Sequence, residues 1–480
     1  MMKLLRWEKA CATFLLCAAT AIASSASATF RSLVSFDAAN GGYPEEISLV
    51  QGFDGNLYGT TSIGGANGGG VIFKITPEGT ITTVYNFCSQ TGCGDGEFPY
   101  AGLVQAAGGD LYGTTYEGGH GYGTIFKVTP AGALTTLHSF DVTDGANPDG
   151  SLLQATNGDF FGVTLKGGAN NDGTIFKITP GGTLTTLYQF CSETDCADGG
   201  QPASGLVQAT NGNLYGTTIY GGNITCDPPY DFGCGTVFSI TPGGRLTTLY
   251  SFCSLSNCAD GEYPAGLVQA ANGTFYGTTF QGGTNGSGTV FRLNAADKLT
   301  TLHNFCSQTG CTDGELPVAG MVRATDGNFY GTTSSGGDDD YGTVFEITAA
   351  GNLTTLHSFD GTDGSNVYAV LFQATNGVFY GTSFTGGADD YGTVFSLSNG
   401  LGAFVETLPT SGKVGLTVSI LGTDLTGAKR VTFNGTAATF TVASKSRIKA
   451  TVPVGATTGA VEVMTSSGTL ISNVPFHVLP

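Results

Sequence analysis

The side chains that could do chemistry fall mostly into repeated positions. Of the five histidines, His138, His303 and His357 share one repeated position, where Tyr85, Tyr188 and Tyr250 stand in other copies. A residue that alternates with tyrosine in a strand reads as packing. His477 lies in a separate C-terminal segment, so His120, in YEGGHGYG, is the one individual histidine of the repeats. There is no G-x-S-x-G elbow and no H-E-x-x-H pair, so nucleophilic and zinc catalysis lack their apparatus. Paired carboxylates remain an option, because glycoside hydrolysis needs only two. A DG-x-x-P pattern begins at Asp95, Asp144, Asp198, Asp260 and Asp313; Asp363 keeps only the DG, and Asn40 replaces the Asp in the first copy. Such recurrence predicts turn chemistry, with Asp capping backbone amides and Gly taking positive φ.

Two further groups carry individual chemistry. Asp338, Asp339 and Asp340, with Asp389 and Asp390, sit in turns between strands. They read as solvated hairpin tips, with weak calcium ligation by hard oxygens as the sharper alternative, although EF-hand spacing is absent. No other cofactor is expected. The insertion NITCDPPYDFGC, residues 223–234, occurs in one copy only. With Tyr220 it presents Tyr230 and Phe232 beside Asp227 and Asp231, a mixture of rings and carboxylates that suits a sugar or a peptide.

Two of the 12 cysteines lie near the N-terminus. The other ten form local pairs: Cys88/Cys93, Cys191/Cys196, Cys253/Cys258 and Cys306/Cys311 at C-x4-C spacing, and Cys226/Cys234. Even, local pairing predicts disulfides. Zinc would need four ligands, and no histidine recurs beside the pairs.

The elements that position these residues are strands. Gly accounts for 77 of 480 residues, yet 40% are hydrophobic and only 11% charged, a turn-rich β composition rather than a disordered one. A Tyr-Gly-Thr-Thr core recurs seven times, at Tyr58, Tyr112, Phe161, Tyr215, Tyr276, Tyr330 and Tyr380, spaced by 54, 49, 54, 61, 54 and 50 residues. Each is preceded by a segment like GLVQATNG and followed by Gly-Gly and GTVF. All but the last then add a TPGG-type turn and LTTLYSF. Four strands per unit at this period is the signature of a propeller blade. The seventh unit lacks its fourth strand, and FRSLVSF, Phe30 to Phe36, stands at the other end with no repeat before it. It can close a seven-bladed ring and leave no open edge.

The N-terminus reads as a secretory signal over residues 1–28. Lys3, Arg6 and Lys9 precede an apolar run, and Ala26-Ser27-Ala28 is a cleavage site. Cleavage near Ala28 also removes Glu8 and takes the net charge from −19 to −21. Such a charge disfavours nucleic acid, and the apolar run is too short to span a membrane. The expected location is outside the cell or on its surface.

The repeats, residues 29–402, resemble the GloVer tandem repeat of secreted bacterial proteins described as choice-of-anchor. Residues 403–480, with Pro409, GTDLTGA from Gly422, VTFNG from Val431 and VPVGATTGAVEV from Val452, resemble an IPT/TIG immunoglobulin-like domain. The resemblance implies an all-β chain, a seven-bladed propeller followed by an Ig-like sandwich, and carries no catalytic residue over. The function expected is therefore a secreted, non-enzymatic binding or surface-structural protein, holding polysaccharide or an envelope or matrix component through propeller loops. A carbohydrate-active hydrolase or lyase on the propeller face is the alternative.

Overall fold

The computed structural model describes residues 28–45, 48–222 and 233–480. Seven four-stranded antiparallel sheets account for the repeats. In blade 1 the strands run Val50–Gln51, Leu57–Thr61, Val71–Ile75 and Ile81–Asn86, in that order across the sheet. Blades 2 to 6 follow, with second strands at Leu111–Thr115, Phe160–Thr164, Leu214–Thr218, Phe275–Gln281 and Phe329–Thr333. Blade 7 takes three strands from the last repeat, Phe372–Gln373, Phe379–Ser383 and Thr393–Ser398. Its fourth is Thr29–Ser35, antiparallel to Thr393–Ser398 with Phe30 opposite Leu397 and Ser35 opposite Thr393. The N-terminal strand thus closes the ring as its sequence implies.

The repeat motif follows from packing. The phenylalanine of each GTVF lies over the glycine of its own YGTT: a Cβ on Gly59 would stand 2.7 Å from Phe73, and one on Gly216 2.6 Å from Phe238. No other residue leaves room for the ring. The same phenylalanine meets the last phenylalanine of the preceding blade edge-on, Phe87 against Phe126 at 5.2 Å and Phe190 against Phe238 at 5.3 Å. Closure reproduces this contact between Phe36 and Phe73, at 5.3 Å. The glycine before TVF takes positive φ, and a side chain on Gly235 would strike the next blade's Pro264. The DG-x-x-P proline therefore packs one blade against the last.

The repeated Asp of that motif is a latch. Asp95 accepts from the Ser89 and Gln90 amides and from the Tyr85 hydroxyl at 2.9 Å. The same bond to the fourth strand recurs in Tyr188–Asp198, Tyr250–Asp260, His138–Asp144, His303–Asp313 and His357–Asp363. The expectation that these histidines merely pack is thus refined: histidine and tyrosine interchange because both reach this carboxylate. Blade 7 has Val34 at the position, with no donor, and there the Asp is replaced by Asn40, which bonds Asp37 instead.

One latch sets a pH dependence. Burial holds the His303 ring below the ordinary histidine range, against the opposing pull of Asp313. Burial pushes Asp313 up, but hydrogen bonds from Ser307, Gln308 and His303 together leave it below the usual carboxylate range. At both groups the folded chain binds fewer protons than the unfolded one, so their stabilisation is complete above the unfolded pKa values and is lost as pH falls. The histidine part goes first, as the unfolded imidazole protonates near pH ~6.5. His303→Tyr restores the bond used in blades 1, 3 and 4, and its urea midpoint should fall less than that of the wild type between pH 8 and 5.5. Parallel pH profiles would show that His303 is not held neutral.

Cys88–Cys93, Cys191–Cys196, Cys253–Cys258 and Cys306–Cys311 are disulfides. Cys234 is also disulfide-bonded; Cys226, its expected partner, lies outside the described residues. The C-terminal domain is a sandwich of two four-stranded sheets around Val418, Ile420, Val431, Phe433, Ile448, Val461 and Val463. It rests on the turns between first and second strands of the propeller. Arg447 lies 3.7 Å above the Phe53 ring, and Ser446 donates to the Phe53 carbonyl at 2.9 Å. Those turns belong to one face of the ring. The hairpins between second and third strands, and the connections between blades, form the other.

Candidate functional site

On that other face every blade has a non-glycine residue at left-handed φ at the same place, two residues after the DG or its equivalent. These are Tyr43, Phe98, Asn147, Gln201, Tyr263, Leu316 and Asn366, all with φ between 52° and 55°. For bulky residues this conformation costs about 1 kcal/mol or more. Main-chain bonds hold it in place. The Phe98 N–H donates to Gly69 of the preceding blade, and its carbonyl accepts from Tyr116 at the end of its own second strand. The same staple joins Tyr43 to Tyr391 and Ser62 across the closure, and Gln201 to Asp172 and Ile219. Sparsely populated backbone that recurs around one opening is characteristic of functional surfaces.

The chain then turns in toward the axis, where blades converge. A Cβ on Gly320 would lie 3.0 Å from Gly266 in the preceding blade. The position after the proline varies between copies: Glu45, Tyr100, Asp149, Ala203, Val318 and, without the proline, Tyr368. In blade 5 Ala265 follows Pro264, the segment is one residue shorter, and the first strand spans Glu262–Gln269 with a register shift between Pro264 and Leu267. Glu45 and Asp149 stand two blades apart, yet the charge of Glu45 reaches Asp149. Burial, then the charge of Glu45, pushes Asp149 up to about 7. Burial raises Glu45 as well. Tyr100, between them in the ring, is pushed up to about 12 by burial first, then by Glu45, Tyr116 and Asp149. Its ring lies 4.7 Å from that of Tyr116 and 6.5 Å from that of Phe98. All five side chains are half-buried. The mouth therefore holds two like-charged acids that resist simultaneous ionisation, beside stacked phenols.

This pair was missed by the sequence search, which looked for carboxylates inside recurring motifs. The signal lay in the opposite place, at the position where repeats stop agreeing.

The expected site residues lie elsewhere. Tyr220 bridges Gly200 and packs edge-on against Tyr263 at 5.9 Å. Asp227, Tyr230, Asp231 and Phe232 lie outside the described residues. The Asp340 and Asp390 carboxylates accept from the Gly336 and Gly386 amides, each at 2.8 Å, within separate hairpins of blades 6 and 7. Asp338 and Asp389 sit exposed at the same tips, as does Asp339. Among the described residues the groups of three or more metal-competent side chains are built on the cysteine pairs, such as Cys234, Cys253, Cys258 and Glu262. His120 is exposed on the outer rim, in a shallow groove with His138 and Asp144.

Comparison with known proteins adds three findings. The family model of the Gloeobacter/Verrucomicrobia repeat matches residues 21–226 and 225–441, and that of the IPT/TIG domain matches residues 405–478. No curated protein matches. Among solved structures, the chain is similar to a putative gluconolactonase at 12% identity and TM-score 0.39, covering 79% of this chain and 94% of that one. It is similar to a gluconolactonase from Xanthomonas campestris at 12% and 0.40, covering 77% and 89%, and to the PQQ-bound aldose sugar dehydrogenase from Streptomyces coelicolor at 15% and 0.37, covering 62% and 93%. The expectation of a non-enzymatic binding protein is corrected here. The solved structures named are two gluconolactonases, one of them putative, and an aldose sugar dehydrogenase, and the mouth of this chain holds the acid pair that expectation lacked. At these TM-scores the likeness carries no argument; any chemistry rests on Glu45 and Asp149.

Proposed function

Because the chain belongs to the Gloeobacter/Verrucomicrobia repeat family, and its repeats bring Glu45 and Asp149 to one mouth, we propose that it is a carbohydrate-active hydrolase working outside the cell. The acid pair is the observation that carries this reading. Of the two carboxyls, Asp149 keeps its proton near neutrality and acts as general acid, while Glu45 acts as base. Asp149 delivers its proton to the departing oxygen. Glu45 takes one from the attacking water, so the net change is water added across one C–O bond. Tyr100 and Tyr116 supply ring faces and hydroxyls, which suit a sugar's mixed surface. The leader and the disulfides support an extracellular setting.

The test is to incubate the mature protein with a panel of oligosaccharides and polysaccharides and follow new reducing ends from pH 4 to 9. Activity is expected on the acid side of neutrality. It should fall at higher pH as Asp149 loses its proton, and at lower pH as Glu45 gains one, above the ordinary glutamate range. No product on any substrate at any pH sinks the proposal.

A further inference from the structure

A cleft of about 430 Å³ lies where the C-terminal domain rests on blades 1 and 2, on the face away from the mouth. Phe53, Asp54, Gly108, Asp110, Pro130 and Arg447 are among the residues that line it. Two of these depart from the repeat. The turn between first and second strands has Thr or Ala at its second position in six blades and Phe53 in blade 1. Its third position is Asp or Asn in six blades. In all six that side chain accepts from the amide two residues on: Asp54 from Asn56, Asn157 from Asp159, Asn211 from Asn213, Asn272 from Thr274, Asp326 from Asn328 and Asn376 from Val378. Blade 2 alone has glycine there, Gly108. Phe53 is accounted for by docking, since Arg447 stacks on it. Gly108 is not. Of the turn's two glycines only Gly109 takes positive φ, and a Cβ on Gly108 would meet nothing within 4 Å. Neither backbone nor packing asks for glycine at this place. The turn has given up its cap, which leaves the Asp110 N–H without that partner and the cleft open beside it.

The lining carries both signs of charge. Asp54 and Asp110 can accept, and Lys127 stands 3.8 Å from Asp110. Arg447 spends two N–H groups on Ser419 and has three more. Pro130 and the rim of the Phe53 ring add apolar surface. A ligand with a net charge is repelled by one group or another, whereas a hydroxyl can donate to a carboxylate and accept from an N–H at once. We propose that this cleft is a second site of the protein, binding a neutral saccharide unit through its hydroxyls. Its walls are fixed before a ligand arrives. Ser446 and Arg447 hold Phe53, and the Phe404 amide donates to the Thr375 carbonyl at 2.9 Å, which spares the cost of ordering them. A cleft of this size between domains is a usual place for a small ligand. On the hydrolase reading, on which this purpose rests, the site holds the polymer from the face opposite the one that cuts it.

Calorimetric titration of the mature protein tests this, as wild type and with Asp149→Asn to prevent cleavage. The probes are the hexasaccharides of cellulose, starch, xylan and laminarin, all neutral, beside an anionic oligogalacturonate and a cationic chitosan oligomer. At least one neutral member should show a site that Asp149→Asn leaves unchanged and Gly108→Asn weakens ten-fold or more. Gly108→Asn returns the side chain that other blades carry, so its thermal midpoint should stay level or rise, and loss of binding cannot be put down to loss of fold. Asp110→Ala should weaken the same site by a similar factor. No site with this pattern on any neutral member, or tighter binding of either charged oligomer at the site that Gly108→Asn removes, would overturn the proposal. Failure of the hydrolase reading looks different: binding and its dependence on Gly108 persist, while the wild type cleaves none of the probes.

Discussion

Asp149→Asn should lower kcat/KM on any hydrolysed substrate by two to four orders of magnitude while leaving the fold intact. That range is typical for loss of a positioned general acid. An amide has the shape of the carboxyl but has no proton to deliver at neutral pH. The thermal midpoint should stay level or rise, because the substitution removes a half-buried acid that stands in the field of Glu45. Glu45→Gln should cost a similar factor and also do something a merely structural change would not. With the charge of Glu45 gone, Asp149 ionises more easily, so the alkaline limb of the residual activity moves to lower pH. Single variants that retain more than a tenth of wild-type kcat/KM would remove both residues from the reaction.

The second large effect concerns closure. Phe36→Ala should destabilise the propeller by about 3–5 kcal/mol, the usual cost of emptying a buried phenylalanine site. Phe36 is fully buried, its amide donates to Gly392 at 2.9 Å, and its ring meets Phe73 as Phe190 meets Phe238. A strand that only rested on the edge of blade 7 would tolerate the change. A strand that completes the ring would not, and Phe190→Ala, in the middle of the chain, should cost the same. Urea unfolding of the two variants decides it: a loss below about 1 kcal/mol for Phe36→Ala beside a full loss for Phe190→Ala would mean that the ring is not closed by this strand.

How much could be read from the sequence depended on whether a residue obeyed the repeat. Closure was legible because the last repeat lacks a fourth strand after Ser398 and the orphan FRSLVSF shares the Leu, Ser and Phe of LTTLYSF at the same places. The latch was half legible: Asp95 and its counterparts were seen as turn residues, but the partner on the fourth strand, ten residues back in blade 1, emerges only when the strand and the connection fold side by side. The acid pair was not legible. Glu45 and Asp149 are more than 100 residues apart and share no motif. Only the circular arrangement brings positions from blades 1 and 3 within reach of one charge field. The clue is disagreement, since PEEISLV, PYAGLV, PDGSLL and the shortened PAGLV part company directly after the proline. The insertion at residues 223–234 is the more conspicuous departure from the repeat because of its length.

The left-handed residues carry a consequence for how such rings diversify. Their backbone N–H and C=O are consumed by main-chain partners on both sides, at Tyr43, Phe98 and Gln201 alike. The staple therefore does not depend on what the side chain is, as the spread from Asn147 to Leu316 to Tyr263 already demonstrates. A point change at Tyr43, Phe98 or Gln201 alters what the mouth presents and leaves the main-chain staple in place, whereas Asn147 also donates its side-chain amide to the Tyr116 carbonyl of the preceding blade. The scaffold is in that sense a turret with interchangeable heads. New specificities can be assembled one substitution at a time, or by shuffling whole blades, with the strain of each station already borne by the fold.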